Sequence, residues 1–119
     1  MSSQPEELRD RTKAFALRVI RLFRSLPFKP DAQVLGKQLL RCGTSVAANY
    51  RSVCRSRSKA EFVARIGIVV EEADEAVLWL ELLGESGIVS REKTKELLVE
   101  AQELTAIFTA SQKTARSTT

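Results

Sequence analysis

Two groups of residues in this 119-residue chain concentrate enough charge to do chemistry. One is acidic: Glu71, Glu72, Asp74 and Glu75, in the run EEADE. The other is basic. Residues 33–65 hold Lys37, Arg41, Arg51, Arg55, Arg57, Lys59 and Arg65 against a single acid, Glu61. Clustered carboxylates can hold metal ions, but di-metal sites in helical bundles draw inward carboxylates from several helices, typically with Glu-x-x-His. The chain has no histidine. That removes Ser-His and Cys-His catalytic pairs and His-based zinc or di-iron sites. No P-loop, GxGxxG or CxxC is present. The expectation is therefore a protein that is not an enzyme and needs no metal or cofactor. The basic group can do something else, because arginine forks onto carboxylates and phosphates alike.

Charge is unevenly distributed. Net charge is +3 over residues 1–32, +6 over 33–65, −7 over 66–108 and +2 beyond. The whole-chain isoelectric point of 9.4 understates how basic the second segment is. No apolar run approaches the 18–20 residues of a membrane span. The polar, acidic start MSSQPEELRD does not read as a secretory signal, so a cytoplasmic location is expected. Cys42 and Cys54, if on one helix, lie about 18 Å apart along its axis. That is too far for a disulfide, so both are expected to be reduced, with Cys42 a small core residue.

The elements that must position these groups are helices. Apolar residues recur at alternating three- and four-residue steps, the pattern of amphipathic helices. A first helix is expected over about 5–26, with a core stripe of Leu8, Thr12, Phe15, Val19, Leu22 and Leu26. The two prolines of LPFKP break it. A second is expected over 31–55, with stripe Leu35, Leu39, Cys42, Val46, Asn49 and Val53. Ser58 and Glu61 form a capping-box pattern that opens a third over 58–84, with stripe Phe62, Ile66, Val69, Ala73, Ala76, Leu80 and Leu83. Gly87 suits a left-handed cap and Ser90 an N-cap before a fourth over 90–112, with stripe Leu97, Ala101, Leu104, Phe108 and Ser111. Residues 109–119, TASQKTARSTT, read as a polar, disordered tail. Four helices of this length with short connections predict an all-α, antiparallel up-down four-helix bundle in a single domain spanning 1–119.

The stretch QLLRCGTSVAANYR puts small and polar residues in the middle of the second helix, where most are indifferent helix formers. Asn49 falls on the core stripe and reads as a buried polar side chain that sets packing. Opposite that stripe lie Lys37, Arg41, Thr44, Ala48, Arg51 and Arg55, basic at both ends and small in the middle. Opposite the core stripe of the third helix lie Ile68, Glu72, Glu75, Trp79 and Leu82. Ile68, Trp79 and Leu82 are much apolar surface to leave wet on a small monomer. Either Trp79 belongs to the core, or this face is a subunit interface. In the second case Glu72 and Glu75 need cations, which Arg51 or Arg55 of a neighbouring copy would supply. Thr44, Ala48, Arg51, Ile68, Glu72, Glu75, Trp79 and Leu82 are the interface candidates.

The same stretch, followed by EFVARIGIVVEEADEAVLWLELL, resembles the bacterial four-helix-bundle family of proteins encoded in ribosomal-RNA intervening sequences. Arg41, Gly43, Thr44, Ser45, Ala48, Asn49, Tyr50, Glu72, Ala73, Glu75, Trp79 and Leu80 carry the resemblance, which extends over about residues 15–108. Cys42 stands where the family usually has Ser, and Ala47 where it usually has Gly. The resemblance implies a four-helix bundle assembled as a homopentamer. In fold and assembly, though not in motif, the chain is also similar to accessory proteins of diversity-generating retroelements, which form basic pentamers that bind nucleic acid and a reverse transcriptase. No catalytic residues are implied.

Two functions follow as expectations. The first is a non-catalytic, homo-oligomeric nucleic-acid-binding protein, for RNA or DNA. It would contact phosphates through Lys37, Arg41, Arg51, Arg55, Arg57 and Lys59. One Trp and one Tyr are too few for recognition by stacking. The second is a scaffold or accessory subunit docking a protein partner such as a reverse transcriptase, with the basic residues used in assembly.

Overall fold

The computed structural model describes residues 4–117 and contains four helices: α1 (Gln4–Arg24), α2 (Pro30–Cys54), α3 (Lys59–Glu85) and α4 (Arg91–Ser117). Each is punctuated by its own sequence. In α1, Glu6 and Glu7 occupy the first turn and Arg21 and Arg24 the last, which complements the helix dipole at both ends. Pro30 opens α2, where its missing N–H costs nothing. Ser58 caps α3 by accepting from the Glu61 N–H at 3.1 Å. The Glu61 carboxylate does not return the bond as a full capping box would; it pairs with Arg57 and Arg65 instead. Gly87 takes a left-handed φ of 80° in the α3–α4 turn, and Ser90 accepts from the Lys93 N–H at the start of α4.

The helices pack side by side along the 49 Å axis of a body 27 and 19 Å across. Each packs on the next, and α1 closes onto α4. The core is built largely from the expected stripes, with Leu35, Phe62 and Ser111 of those stripes only half-buried. Phe15, Val19, Leu39, Val46, Ile66, Val69, Leu80, Leu83, Leu104 and Phe108 are all but fully buried. Polar contacts tie neighbouring helices at their margins. Arg11 on α1 donates two hydrogen bonds of 2.8 Å to Glu100 on α4 and one of 2.7 Å to Glu103. Arg65 on α3 donates to the Ser52 carbonyl on α2 at 2.9 Å. Gln112 on α4 donates to the Val63 carbonyl on α3 at 3.1 Å.

Two expectations are corrected. Asn49 is only half-buried, and its amide donates to the Ser45 carbonyl one turn back at 2.9 Å. The buried residue at this turn is Tyr50, whose ring lies 5.2 Å from that of Phe108, centroid to centroid. Packing of the large aromatic decides the phase, and the amide serves its own helix. The polar tail is corrected too: residues 109–117 continue α4 as helix. Ala, Gln, Lys and Arg are good helix formers, nothing in the segment breaks the helix, and Gln112 anchors it to α3. Residues 118 and 119 of the expected tail lie outside the described residues.

The small residues of α2 explain how closely it lies on α1. A Cβ at Gly43 would stand 2.9 Å from both γ-methyls of Val19 and 3.1 Å from its Cβ. Val19 is fully buried and stiff at χ1, so it cannot turn aside. Nearer the α1–α2 turn, a Cβ at Gly36 would meet the side chains of Leu26 and Phe23. We predict that Gly43→Val lowers the free energy of unfolding by about 1–3 kcal/mol, measured by urea denaturation, although valine is the better helix former. An unchanged midpoint would show that α1 and α2 have slack between them.

Both cysteines are free; Cys42 is buried and Cys54 exposed. Burial, with the nearby Glu75, pushes the Cys42 thiol from an ordinary 9.0 up to about 12. Burial, and then the neighbouring Cys54, likewise raises the Tyr50 phenol from its ordinary 10.0. Both groups keep their protons in the folded chain at pH values where the unfolded chain releases them. Their contribution to stability is thus complete below pH 9 and is lost as pH rises from there toward the folded values. Denaturation midpoints should fall steadily above pH 9. At pH 8 a thiol reagent should label Cys54 alone until the chain is unfolded.

Candidate functional site

The outward face of α2 does not act as one stripe. At about 100° per residue, Arg41 and Arg51 stand about 80° apart around the helix axis. They therefore look to different neighbours.

Arg41 turns toward α3. Its guanidinium reaches Glu72 at 3.2 Å and also Glu75. Burial costs this cation some hydration, but the charges of Glu72 and Glu75 prevail and raise its pKa. Trp79 donates its indole N–H to Glu75 at 3.2 Å and lies half-buried against the core. The cation that the sequence reading sought on a neighbouring copy is thus supplied by the chain's own Arg41. The Cys42 thiol and one oxygen from each of Glu72 and Glu75 lie within 4.8 Å of one another. Burial pushes the thiol pKa up to about 12, and both carboxylates pair with the Arg41 guanidinium. The cluster is an ion pair seated over a core thiol.

Arg51 and Arg55 turn the other way, toward the first turns of α1. They line a cleft of about 440 Å³ with Arg9, Lys13, Glu6, Asp10 and Cys54. None of Arg9, Lys13, Arg51 and Arg55 enters an ion pair among the described residues, whereas Arg11, Arg41, Arg57 and Arg65 all do. The Arg57 pair is loose. It reaches from the α2–α3 turn to the first turn of α3 at 3.4 Å, and the Arg57 side chain is 85% exposed, so water screens it and the guanidinium stays accessible. Lys59 is exposed at the start of α3 and shares a groove with Arg116 near the end of α4. Lys37 is exposed on α2, beyond Arg41 from this end.

The structure thus brings together Arg51 and Arg55, places Arg57 in the adjoining turn and Lys59 at the start of α3, leaves Lys37 apart, and withdraws Arg41. It adds Arg9 and Lys13, which the sequence reading passed over because four acids offset the basic residues of segment 1–32. Their four-residue spacing was the available signal, since it puts both on one helix face.

The interface candidates divide similarly. Ile68 and Leu82 are 46% and 38% exposed, and Leu78 beside them is 46% exposed. Thr44 is half-buried and donates its hydroxyl to the Leu40 carbonyl at 2.8 Å. Ala48 is exposed. The outward side of α3 thus exposes Ile68, Leu78 and Leu82, interleaved with the exposed acids Glu71, Asp74 and Glu85. No helix among the described residues is long and apolar enough to cross a membrane.

The architecture has a solved counterpart. It is similar to the crystal structure of a protein of unknown function from the S23 ribosomal protein family of Bacteroides thetaiotaomicron. The TM-score is 0.82 and the identity 31%, over 89% of this chain and 98% of that one. Among curated proteins none matches. Residues 6–110 match the 23S rRNA-intervening sequence proteins, an interval that contains Arg9, Lys13, the Arg41 pairs and both faces of α2 and α3. This chain belongs to the 23S rRNA-intervening sequence protein family.

Proposed function

We propose that the protein is a non-catalytic, homo-oligomeric nucleic-acid-binding protein of the cytoplasm that uses the basic end of its bundle to hold backbone phosphates. The observation that carries this reading is the division of the cations. Arg11 and Arg41 are tied to carboxylates within the chain, while Arg51, Arg55 and Lys59 stand at one end of the molecule without carboxylate partners among the described residues. Unpartnered guanidinium groups set side by side suit a phosphate chain, which offers one charge after another. Contacts of this kind carry little sequence preference and weaken steeply with salt.

An antiparallel arrangement of the helices is supported by the order of the cross-helix contacts. Ser52 meets Arg65, and Arg41, earlier in α2, meets Glu72, later in α3. The family resemblance favours a pentamer, and the exposed Ile68, Leu78 and Leu82 on α3 offer apolar surface for subunit contact. Rotational symmetry would repeat the basic end around one axis and concentrate its field. That same apolar face also favours a second reading, in which the oligomer is an accessory subunit that docks a protein such as a reverse transcriptase.

The test is fluorescence anisotropy with labelled duplex DNA, single-stranded RNA and structured RNA, from about 50 to about 300 mM salt, with oligomer mass followed by light scattering. Wild type should bind at low salt and lose affinity steeply as salt rises. Arg55→Ala/Arg57→Ala should bind on the order of tenfold more weakly at unchanged mass. Arg41→Ala should lower the unfolding midpoint and leave the salt dependence as it was. Absence of binding at the lowest salt would assign the cations to assembly and favour the docking reading.

A further inference from the structure

We infer that the cleft between the first turns of α1 and the last turns of α2 is a phosphate seat, in which Arg9 and Lys13 face Arg51 and Arg55 across a bound phosphodiester. This deepens the proposed function and rests on it. The cleft is formed by two helices, so its opposing walls are held by the bundle rather than by a loop. Its volume of about 440 Å³ is more than ten times the roughly 30 Å³ that a water molecule occupies in the liquid. A phosphate group with part of its hydration fits inside. Four cations line it and none has an ion-pair partner among the described residues.

The arrangement is informative because two other arginines on the same two helices are paired to carboxylates of a different helix. Arg11, two residues from both Arg9 and Lys13, is locked to Glu100 and Glu103. Arg41, on the helix that carries Arg51, is locked to Glu72 and Glu75. In the cleft, four like charges share one lining with only Glu6 and Asp10 beside them, and Glu6 is engaged in an interaction of its own. Such a set repels itself when empty and is relieved by an anion. Asp10 then has a definite effect. It moderates the repulsion of the empty cleft and opposes the anion that enters.

The carboxylate and the cations can therefore be tested in opposite directions. With a labelled RNA duplex as probe, Arg9→Gln/Lys13→Gln should reduce the slope of log affinity against log salt by about two, while Asp10→Asn should bind more tightly than wild type. Arg21→Gln/Arg24→Gln removes the same charge from the far end of the same helix and should change neither. Inorganic phosphate, added at constant ionic strength, should compete with the duplex on wild type if the seat takes a phosphate of any source. Competition by unlabelled duplex alone would mean that the seat needs a polymer. Light scattering and circular dichroism on each variant verify that assembly and helix content are intact. If Arg55→Ala/Arg57→Ala weakens binding but Arg9→Gln/Lys13→Gln does not, the proposed function stands and the seat is wrong. If wild type fails to bind the duplex at low salt, both fall together.

Discussion

The close approach of α1 and α2 is the constraint on which the rest of this structure depends. Gly43 lies against Val19 with no space for a Cβ, and the residues around it in α2 are small or polar. A bulkier residue there would push the helices apart along their length, because a helix is stiff over several turns. The separation at Gly43 therefore sets the separation at Arg51 and Arg55, two to three turns farther along. A helix pair held this tightly brings the last turns of α2 beside the first turns of α1. The small residues of QLLRCGTSVAANYR thus have a geometric role. Small residues in mid-helix let cations from two helix ends share one cleft.

Pairing then sorts the charges. A guanidinium between two carboxylates at the edge of a core, as at Arg41 and Arg11, is held by several hydrogen bonds and is spent on helix–helix registration. A guanidinium beside other cations, as at Arg51 and Arg55, is left available to a ligand. Net charge of a segment does not distinguish the two. Residues 33–65 carry +6, yet that segment contains both Arg41, tied to two carboxylates, and Arg51 and Arg55, which are tied to none among the described residues. What decides is which helix stands opposite, and that belongs to the fold.

Much of the fold was legible in the residues. Apart from Phe62 and Ser111, which are half-buried, the stripes of α1, α3 and α4 appear in the core because large apolar side chains recur at helical spacing, and few other phases would bury them. The caps were legible for the same local reason: Ser58, Ser90 and Gly87 act within one turn of themselves. Asn49 and Tyr50 were not. Both lie at an allowed step from Val46, and the choice between them rests on Phe108, which lies on another helix. The helical end of α4 was not legible from composition, because a polar segment suits a disordered tail and an exposed helix equally, and none of its residues stops a helix. At the candidate site, Arg51 and Arg55 were visible as unopposed charge. Arg9 and Lys13 were hidden by neighbouring acids in sequence, and the intrachain role of Arg41 was hidden because its partners lie thirty-one and thirty-four residues away.

The central claim is that ion pairing within the bundle separates structural arginines from ligand-binding ones. The most direct measurement is an NMR titration that follows the arginine Nε–Hε resonances while an RNA duplex is added at low salt. The account predicts that Arg9, Arg51 and Arg55 shift and broaden early, while Arg11 and Arg41 hold their positions throughout. Equal shifts at Arg11 and Arg41, or first shifts at Arg21 and Arg24 at the far end of α1, would contradict it.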